Sequence, residues 1–488
     1  MASPQALAAA HLAGDQTARL WLGEPWTGIR SCAEYTRSFL SRGRWDRPAL
    51  AAIAHASGAA KSVVDAVADV RTAVVVTGQQ PAVGGGPLYT LVKVAHAIAL
   101  AKRLNDEGVP AVAWFWCASE DHDLGEAGHA DLILRDGAIA RISADLGGGR
   151  AALRHRPASS WWPTLIAQCQ ERLGPGLGQR WLLEQAPQDN EGMGAWLVRL
   201  MNGVFTNTPL VCVESHRVRP LWRSVWPRVV GDWPVQALTQ RRSDLLRHGY
   251  ADTFGELTHA PVFHDQADAR TAIEPKTLTT LATADPDTLS PGAALRPILQ
   301  QIALPSACAI LGLAELAYHA AITPAYSALG AVQPLLIPRC SLTLVPRWIE
   351  RAAQRHGLSA EALADGGSID IEAPTLANHG RLTALADAID QLTLGAAPDD
   401  RRICAAQVRL RRELDRLRAS LVRGERASTG LPAPGALANY LYPRHRRHER
   451  VMSLCQAIWQ HGPGIGANLV HAAGDTSPGG HRLVRLSS

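Results

Sequence analysis

The sequence predicts an α/β protein: a parallel sheet with a crossover helix, followed by a helical region towards the C-terminus. Two apolar runs, Ala73–Val76 and Val109–Cys117, carry the sheet. Both are short, nearly continuous and rich in β-formers, the pattern of a strand buried on both faces. Between them the pattern turns helical from Pro87 to about Leu104. Strand, helix and strand within about 45 residues make a βαβ unit with a right-handed crossover. The helical region rests on a third observation. Leu382, Leu385, Ile389 and Leu392, then Ile403, Leu410, Leu414, Leu417 and Leu421, follow an a/d seam, which predicts two helices paired as a hairpin or short coiled coil.

The remaining elements follow in order. Residues 1–70 read as helices broken by Pro and Gly. The first strand runs into Thr77-Gly78-Gln79-Gln80-Pro81 and then Gly84-Gly85-Gly86, read as a Gly-rich loop. Pro87 suits the first helical turn, where its missing N–H would be unpaired anyway. Residues 150–290 give weaker signals, with strands at Leu210–Val213 and Ala260–Phe263. Ala307–Leu311 and Pro334–Ile337 read as core strands flanking a helix over about Ala314–Leu329. Residues 427–436 read as a linker and Gly479–Leu486 as a final strand. The expected domains are a catalytic core over 1–345 with an inserted segment at about 150–290, a helical domain over 346–430, and a segment 431–488 returning to the core.

At 488 residues, with 47% hydrophobic and 19% charged residues, the chain buries a large core and is not a disordered or solvating protein. A net charge of +5 spread over this length does not indicate a nucleic-acid binder, and few aromatics interleave with the nine arginines of residues 401–426. Only four lysines occur: Lys61, Lys93, Lys102 and Lys276. In so arginine-rich a chain a retained lysine points to a needed amine, and Lys93 is the one beside the Gly-rich loop. The eight cysteines are widely spaced with no CxxC pair, which reads as buried thiols in a reducing cytosol. No basic leader and no apolar run of about 18 residues is seen, so a cytoplasmic protein without a membrane span is expected.

Two motifs are candidates for chemistry. Gly84–Gly86 lack Cβ, so backbone N–H groups there can approach an anion at the start of a helix; the same glycines also suit a tight turn that only permits the bend. Glu120-Asp121-His122-Asp123 places three carboxylates and an imidazole directly after a buried strand. In an extended segment Asp121 and Asp123 face one side, Glu120 and His122 the other. The cluster could hold Mg²⁺, orient an amine or act as general base; a solvated acidic loop with a helix N-cap is the alternative. Both motifs end strands of one βαβ unit, so they are expected at one carboxyl edge. Arg296, Gln300, Glu315, Tyr318 and Arg339 form a third group, in which Arg339 follows a strand and could clamp a carboxylate or phosphate.

Two blocks, VVVTGQQPAVGGGPLYTLVK (74–93) and AVAWFWCASEDHDLGEAGH (111–129), closely resemble the paired motifs of the bacillithiol biosynthesis cysteine-adding enzyme family, BshC. LRPILQQIALP (295–305), GLAELAYHAAITPAY (312–326), LLIPRCSLTL (335–344), RHERV (447–451) and the closing GGHRLV resemble further pieces, in order over most of the chain. The resemblance implies a Rossmann-like, nucleotidyltransferase-like core and a coiled-coil domain that forms a homodimer. It implies a ligase that joins cysteine to the amine of glucosaminyl malate by an amide bond, with ATP as the expected source of activation. It places the expected catalytic residues at Lys93, Asp121, His122 and Asp123. Expected binding positions are Thr77, Gln79, Gln80, Gly85, Gly86, Pro87, Tyr89, Glu120, Glu315, Tyr318 and Arg339. Leu311-Gly312-Leu313-Ala314-Glu315 departs from the family's usual GGPxE, which favours a second reading, a related ligase or nucleotidyltransferase acting on another amine and acid. A third is a non-catalytic partner acting through the 380–425 helices.

Overall fold

Five apolar runs form one all-parallel sheet: β1 (Ala73–Gln79), β2 (Ala111–Cys117), β3 (Leu210–Glu214), β4 (Ser306–Leu311) and β5 (Leu335–Pro338), in the order β5-β4-β1-β2-β3. Every residue of β2, β3, β4 and β5 is buried. Two-sided burial is why these runs read as continuous rather than alternating. Ala73 lies opposite Ala111 and the register holds to Gln79 opposite Cys117; on the other flank Val75 lies opposite Cys308. The chain winds outward from β1 through β2 to β3, then returns to build β4 and β5 on the other side. The β1–β4 boundary is therefore the topological switch point, where doubly wound sheets open a crevice at their carboxyl edge.

The computed structural model describes residues 3–274, 276–277, 286–367, 385, 388–389, 409–414, 417 and 432–486. The chain forms two compact units: Met1–Leu132 with Ala140–Leu344 and Glu449–Val484, and Ile133–Ile139 with Val345–His448 and Arg485–Ser488. The sheet lies in the first. Helices Pro4–Leu12, Gln16–Leu22, Ile29–Arg42, Arg47–Ala56 and Lys61–Ala68 precede it. The weakly patterned 150–290 region contributes a small antiparallel sheet, in which Val262–Asp265 pairs with Arg270–Ala272 and with Leu289–Pro291. Short strands of this kind carry little periodicity to read.

The structure differs from the sequence reading at the end of β1. The strand continues through Thr77, Gly78 and Gln79 instead of yielding to a loop. Gly78 permits this, because a Cβ there would sit 3.1 Å from the Trp116 carbonyl oxygen. The glycine triplet is a tight turn: Gly84, Gly85 and Gly86 have φ of 66°, 76° and 83°, the left-handed region that glycine alone enters at low cost. The Gly85 amide donates to the Ala82 carbonyl and the Gly86 amide to Val83. A Cβ on Gly84 would lie 3.0 Å from Ala130 Cβ, and one on Gly85 3.1 Å from Leu454 Cδ2. Helix α1 (Tyr89–Asp106) follows. The Leu88 amide donates to the Met452 carbonyl and the Leu454 amide to that of Gly86, fastening the turn to the returning C-terminal segment.

In the second unit, Arg347–Arg355, Ala360–Ala364 and Pro434–Leu441 are helical, and the Trp348 ring meets Tyr440 edge-on at 5.1 Å. Part of the expected linker is thus helix, started by Pro434 in the first turn; residues 427–431 lie outside the described residues. So do Leu382, Leu392, Ile403 and Leu421 of the predicted seam. The seam residues that are described, Leu385, Ile389, Leu410, Leu414 and Leu417, are helical. Ile389 and Leu414 are buried, whereas Leu385, Leu410 and Leu417 are 47%, 45% and 47% exposed. Seven cysteines are described, all unpaired and buried. Among the described residues no helix is long and apolar enough to cross a membrane.

Alanine at Gly84 or Gly85 is expected to lower the unfolding free energy by about 1–2 kcal/mol, the cost of a Cβ in the left-handed region. The check is a lower urea midpoint at unchanged slope.

Candidate functional site

A cavity of about 540 Å³ opens at the switch point. Its walls come from the ends of β1 (Thr77 to Gln80) and β4 (Leu311, Gly312), from Tyr89 and Lys93 on α1, and from Asp121 and Asp123 after β2. Helix α2 (Arg296–Ala303) adds Arg296 and Gln300; helix α3 (Leu313–Ala328) adds Glu315, Tyr318 and His319; Arg339 and Arg450 complete it.

Lys93 closes the bottom of the crevice. Its side chain is 2% exposed, and its ammonium donates to the Gly78 carbonyl at 2.8 Å, Gln79 Oε1 at 3.1 Å and Glu315 Oε1 at 2.7 Å. An ammonium has three protons, so all are committed within the protein. Burial pushes the Lys93 pKa down, and the Glu315 carboxylate opposes that shift. Glu315 also accepts from the Gly312 amide, capping α3, and its side chain keeps 26% exposure. The pair therefore ties the end of β1 to the start of α3 and presents a carboxylate face to the cavity. Gln79 Nε2 donates to the Tyr89 hydroxyl at 3.1 Å, and burial pushes the Tyr89 pKa up to about 12. Thr77 Oγ1 donates to the Ile310 carbonyl at 2.9 Å, a second clasp across β1 and β4.

The acidic tetrad splits by side, at a turn after β2 in which the Asp121 amide donates to the Ala118 carbonyl at 3.2 Å. Asp121 and Asp123 line the cavity; Glu120 and His122 do not. Asp121 Oδ1 accepts from the His122 amide at 2.8 Å, and its Oδ2 lies 3.6 Å from Arg296 Nη2. Burial would raise its pKa, but Arg296, the His122 amide and Arg270 outweigh burial and hold it below the usual carboxylate range. Asp121 is thus ionised at neutral pH. Arg296 keeps a buried Nε without a protein partner. Asp123 caps the short helix Leu124–Ala127, accepting from the Gly125 and Glu126 amides at 2.8 and 3.2 Å, and Gln80 Nε2 donates to Glu126 at 2.8 Å.

Glu120 is fully buried and paired with Arg219, whose guanidinium also bridges to Asp265. Its Oε1 is held in that network, while Oε2 is buried without a hydrogen-bond partner. His122 lies between Arg270, 3.0 Å from its Nδ1, and Arg150, 3.2 Å from its Nε2. Burial first, then the Arg270 charge, lowers its pKa. A neutral imidazole has one lone pair, so it accepts from only one of these arginines. Gly85, Gly86 and Pro87 stand off the cavity; the two glycine amides are spent on the turn, so the triplet offers no anion cradle. Among the described residues no group of three or more His, Cys, Asp or Glu is arranged to hold a metal ion.

Arg339 is 8% exposed. Its Nη1 donates to the Cys340 carbonyl and to Glu449, and its guanidinium lies 5.4 Å from the Tyr89 ring centre. Tyr318, another cavity residue, stacks on His319 at 5.2 Å. Arg219, Asp265, Arg270 and Glu449 escaped sequence reasoning as contributors; Glu449 and Arg450 stand in the RHERV stretch, which names no chemistry on its own.

An all-parallel sheet in the 3-2-1-4-5 order, with a polar crevice at its switch point, defines a Rossmann-like α/β protein with a small-molecule site. Residues 49–340 match the family described as "Bacillithiol biosynthesis BshC, N-terminal Rossmann-like domain". The chain belongs to this family. It is 29% identical over 455 residues to a protein of Koribacter versatilis, covering 84% of each chain. It is 30% identical over 419 residues to one of Thermus thermophilus, covering 80% of this chain and 82% of that one. A Solibacter usitatus protein is 27% identical over 464 residues, covering 87% and 86%. All three are named "Putative cysteine ligase BshC".

Burial lowers His319 and His96 from 6.5 to about 4. Unfolding restores the ordinary value, so the unfolded chain binds more protons between about pH 6.5 and 4. Stability is therefore expected to be full above that window and to fall with pH inside it, by up to about 1.4 kcal/mol per pH unit for each histidine. Urea titrations across this range should show the slope, and His319→Phe should remove its share.

Proposed function

We propose that this chain forms an amide bond between the carboxyl group of cysteine and the amine of glucosaminyl malate, with ATP activating the carboxyl. The observation that carries the reading is the pairing of opposite charges at one crevice. Ionised Asp121 arrives after β2, and Arg339 after β5, from strands on either side of the switch point. An amine nucleophile needs an acceptor that orients its N–H bonds, and an acidic conjugate needs a guanidinium. Asp121, with its low pKa, serves better to orient the amine than to remove its proton. Arg339, with Arg450 beside it, takes a malate or phosphate oxygen. Lys93 acts here by holding Glu315 and the end of β1, since its own protons are spent. The names borne by the relatives support the same reaction class.

Leu311 and Leu313 line the cavity where the family pattern has a glycine and a proline. This favours, as a second reading, the same bond made with a different amine or acid.

Incubating the purified chain with cysteine, glucosaminyl malate and ATP is expected to give the amide, detected by mass spectrometry. Asp121→Asn should lower kcat by roughly 10²-fold, the scale of a misoriented reactant. Absence of product from the wild-type chain would overturn the proposal.

We propose further that the chain pairs as a homodimer through its helical region, supported by the half-exposed Leu385, Leu410 and Leu417. Light scattering after gel filtration should give about twice 52.3 kDa, and Leu410→Lys with Leu417→Lys should shift it to the monomer mass.

A further inference from the structure

Glu449 stands 110 residues beyond Arg339 in the chain and outside the matched domain. Its side chain is 1% exposed. A buried carboxylate needs compensation, and among the described residues Glu449 receives its hydrogen bonds from one short segment. Arg339 Nη1 donates to Oε1, Ser341 Oγ donates to Oε1 at 2.8 Å, and the Leu342 amide donates to Oε2 at 2.6 Å. The Arg339 amide is meanwhile fixed to the Leu311 carbonyl at 2.8 Å, and the Cys340 amide donates to His96 Nδ1 at 3.1 Å.

Arg339 has five guanidinium protons. Among the described residues its Nη1 has the partners just named, and Nε and Nη2 have none, although the side chain is nearly buried at a cavity wall. With the Tyr89 ring packed against it, the guanidinium plane is set from the ring side and from the Nη1 end. The free edge is left for a planar oxyanion, which a guanidinium grips with two parallel bonds only when its plane is fixed.

We propose that Glu449 is a positioning residue for binding of the malate carboxylate of the amine substrate: it does not touch the ligand, but clamps Nη1 so that the opposite edge of Arg339 faces the cavity in one orientation. This rests on the amide-forming reading above for the identity of the substrate, while the clamp itself is independent of the reaction.

The test compares wild-type chain with Glu449→Gln, which keeps size and an acceptor but removes the charge, and with Glu449→Asp, which keeps the charge on a shorter stem. Glu449→Gln is expected to raise KM for glucosaminyl malate by about tenfold, the scale of losing a charge-assisted partner. KM for cysteine and kcat should stay within about twofold, and Glu449→Asp should recover part of the loss. Unchanged KM, or equal losses for both substrates and kcat, would overturn the proposal. If the wild-type chain makes no amide, the reaction reading fails, and the clamp is judged by calorimetric binding of L-malate. About tenfold weaker binding to folded Glu449→Gln supports it, and equal affinity overturns it.

Discussion

The crevice depends on one ammonium group. Lys93 sits almost wholly out of water, and such a charge persists only where its protons meet acceptors. The three acceptors it finds belong to the end of β1 and the start of α3. These are the elements that part at the switch point. A buried ion pair is a weak source of net stability, because desolvation offsets its attraction. Its value here is geometric, because it fixes the distance between two elements that topology merely makes adjacent. Arginine, so abundant elsewhere in the chain, would not fit, since a flat fork cannot satisfy acceptors arranged around a point.

A second buried charge set does similar work behind the acidic turn. Arg219 holds Glu120 and Asp265 together, so the turn after β2 is anchored by the residue that faces inward. The neighbours on the other side, Asp121 and Asp123, are then presented to the cavity. The turn at Ala118–Asp121 separates them, with Glu120 held on its own side by Arg219. Two of the polar side chains at the site, Glu315 and Arg339, are thus each held by a more deeply buried partner, Lys93 and Glu449.

Much of this architecture was legible in the sequence, for physical reasons. Two-sided burial writes a continuous apolar run, so all five sheet strands were found and only their ends were misplaced. Gly78 hid the last part of β1, because glycine signals a loop unless its strand neighbour is known to crowd it. The 74–93 and 111–129 blocks led to the family. They did not separate ligand-facing residues from anchors: Glu120 and Asp121 are chemically alike and adjacent, yet they point to opposite surroundings. The glycine triplet misled in the same way, since freedom of φ serves a packed turn as well as an anion cradle, and only the destinations of its amides decide between them. Glu449 was beyond reach because its meaning lies in contacts with residues 339–342, and a pair so far apart leaves no periodic trace. Part of the expected coiled-coil seam, including Leu382, Leu392, Ile403 and Leu421, falls outside the described residues.

The place of Glu449 and Arg450 in the chain has a consequence for biogenesis. Ribosomes deliver a polypeptide from its amino end, and domains begin to fold as they emerge. All five sheet strands are available once residue 338 is out, so the scaffold precedes its own last side chains by more than a hundred residues of synthesis. Throughout that interval the nascent chain carries Arg339 without its carboxylate and the glycine turn without Leu454. The pocket wall that Arg339 and Arg450 share is therefore assembled only after the sheet strands have been made.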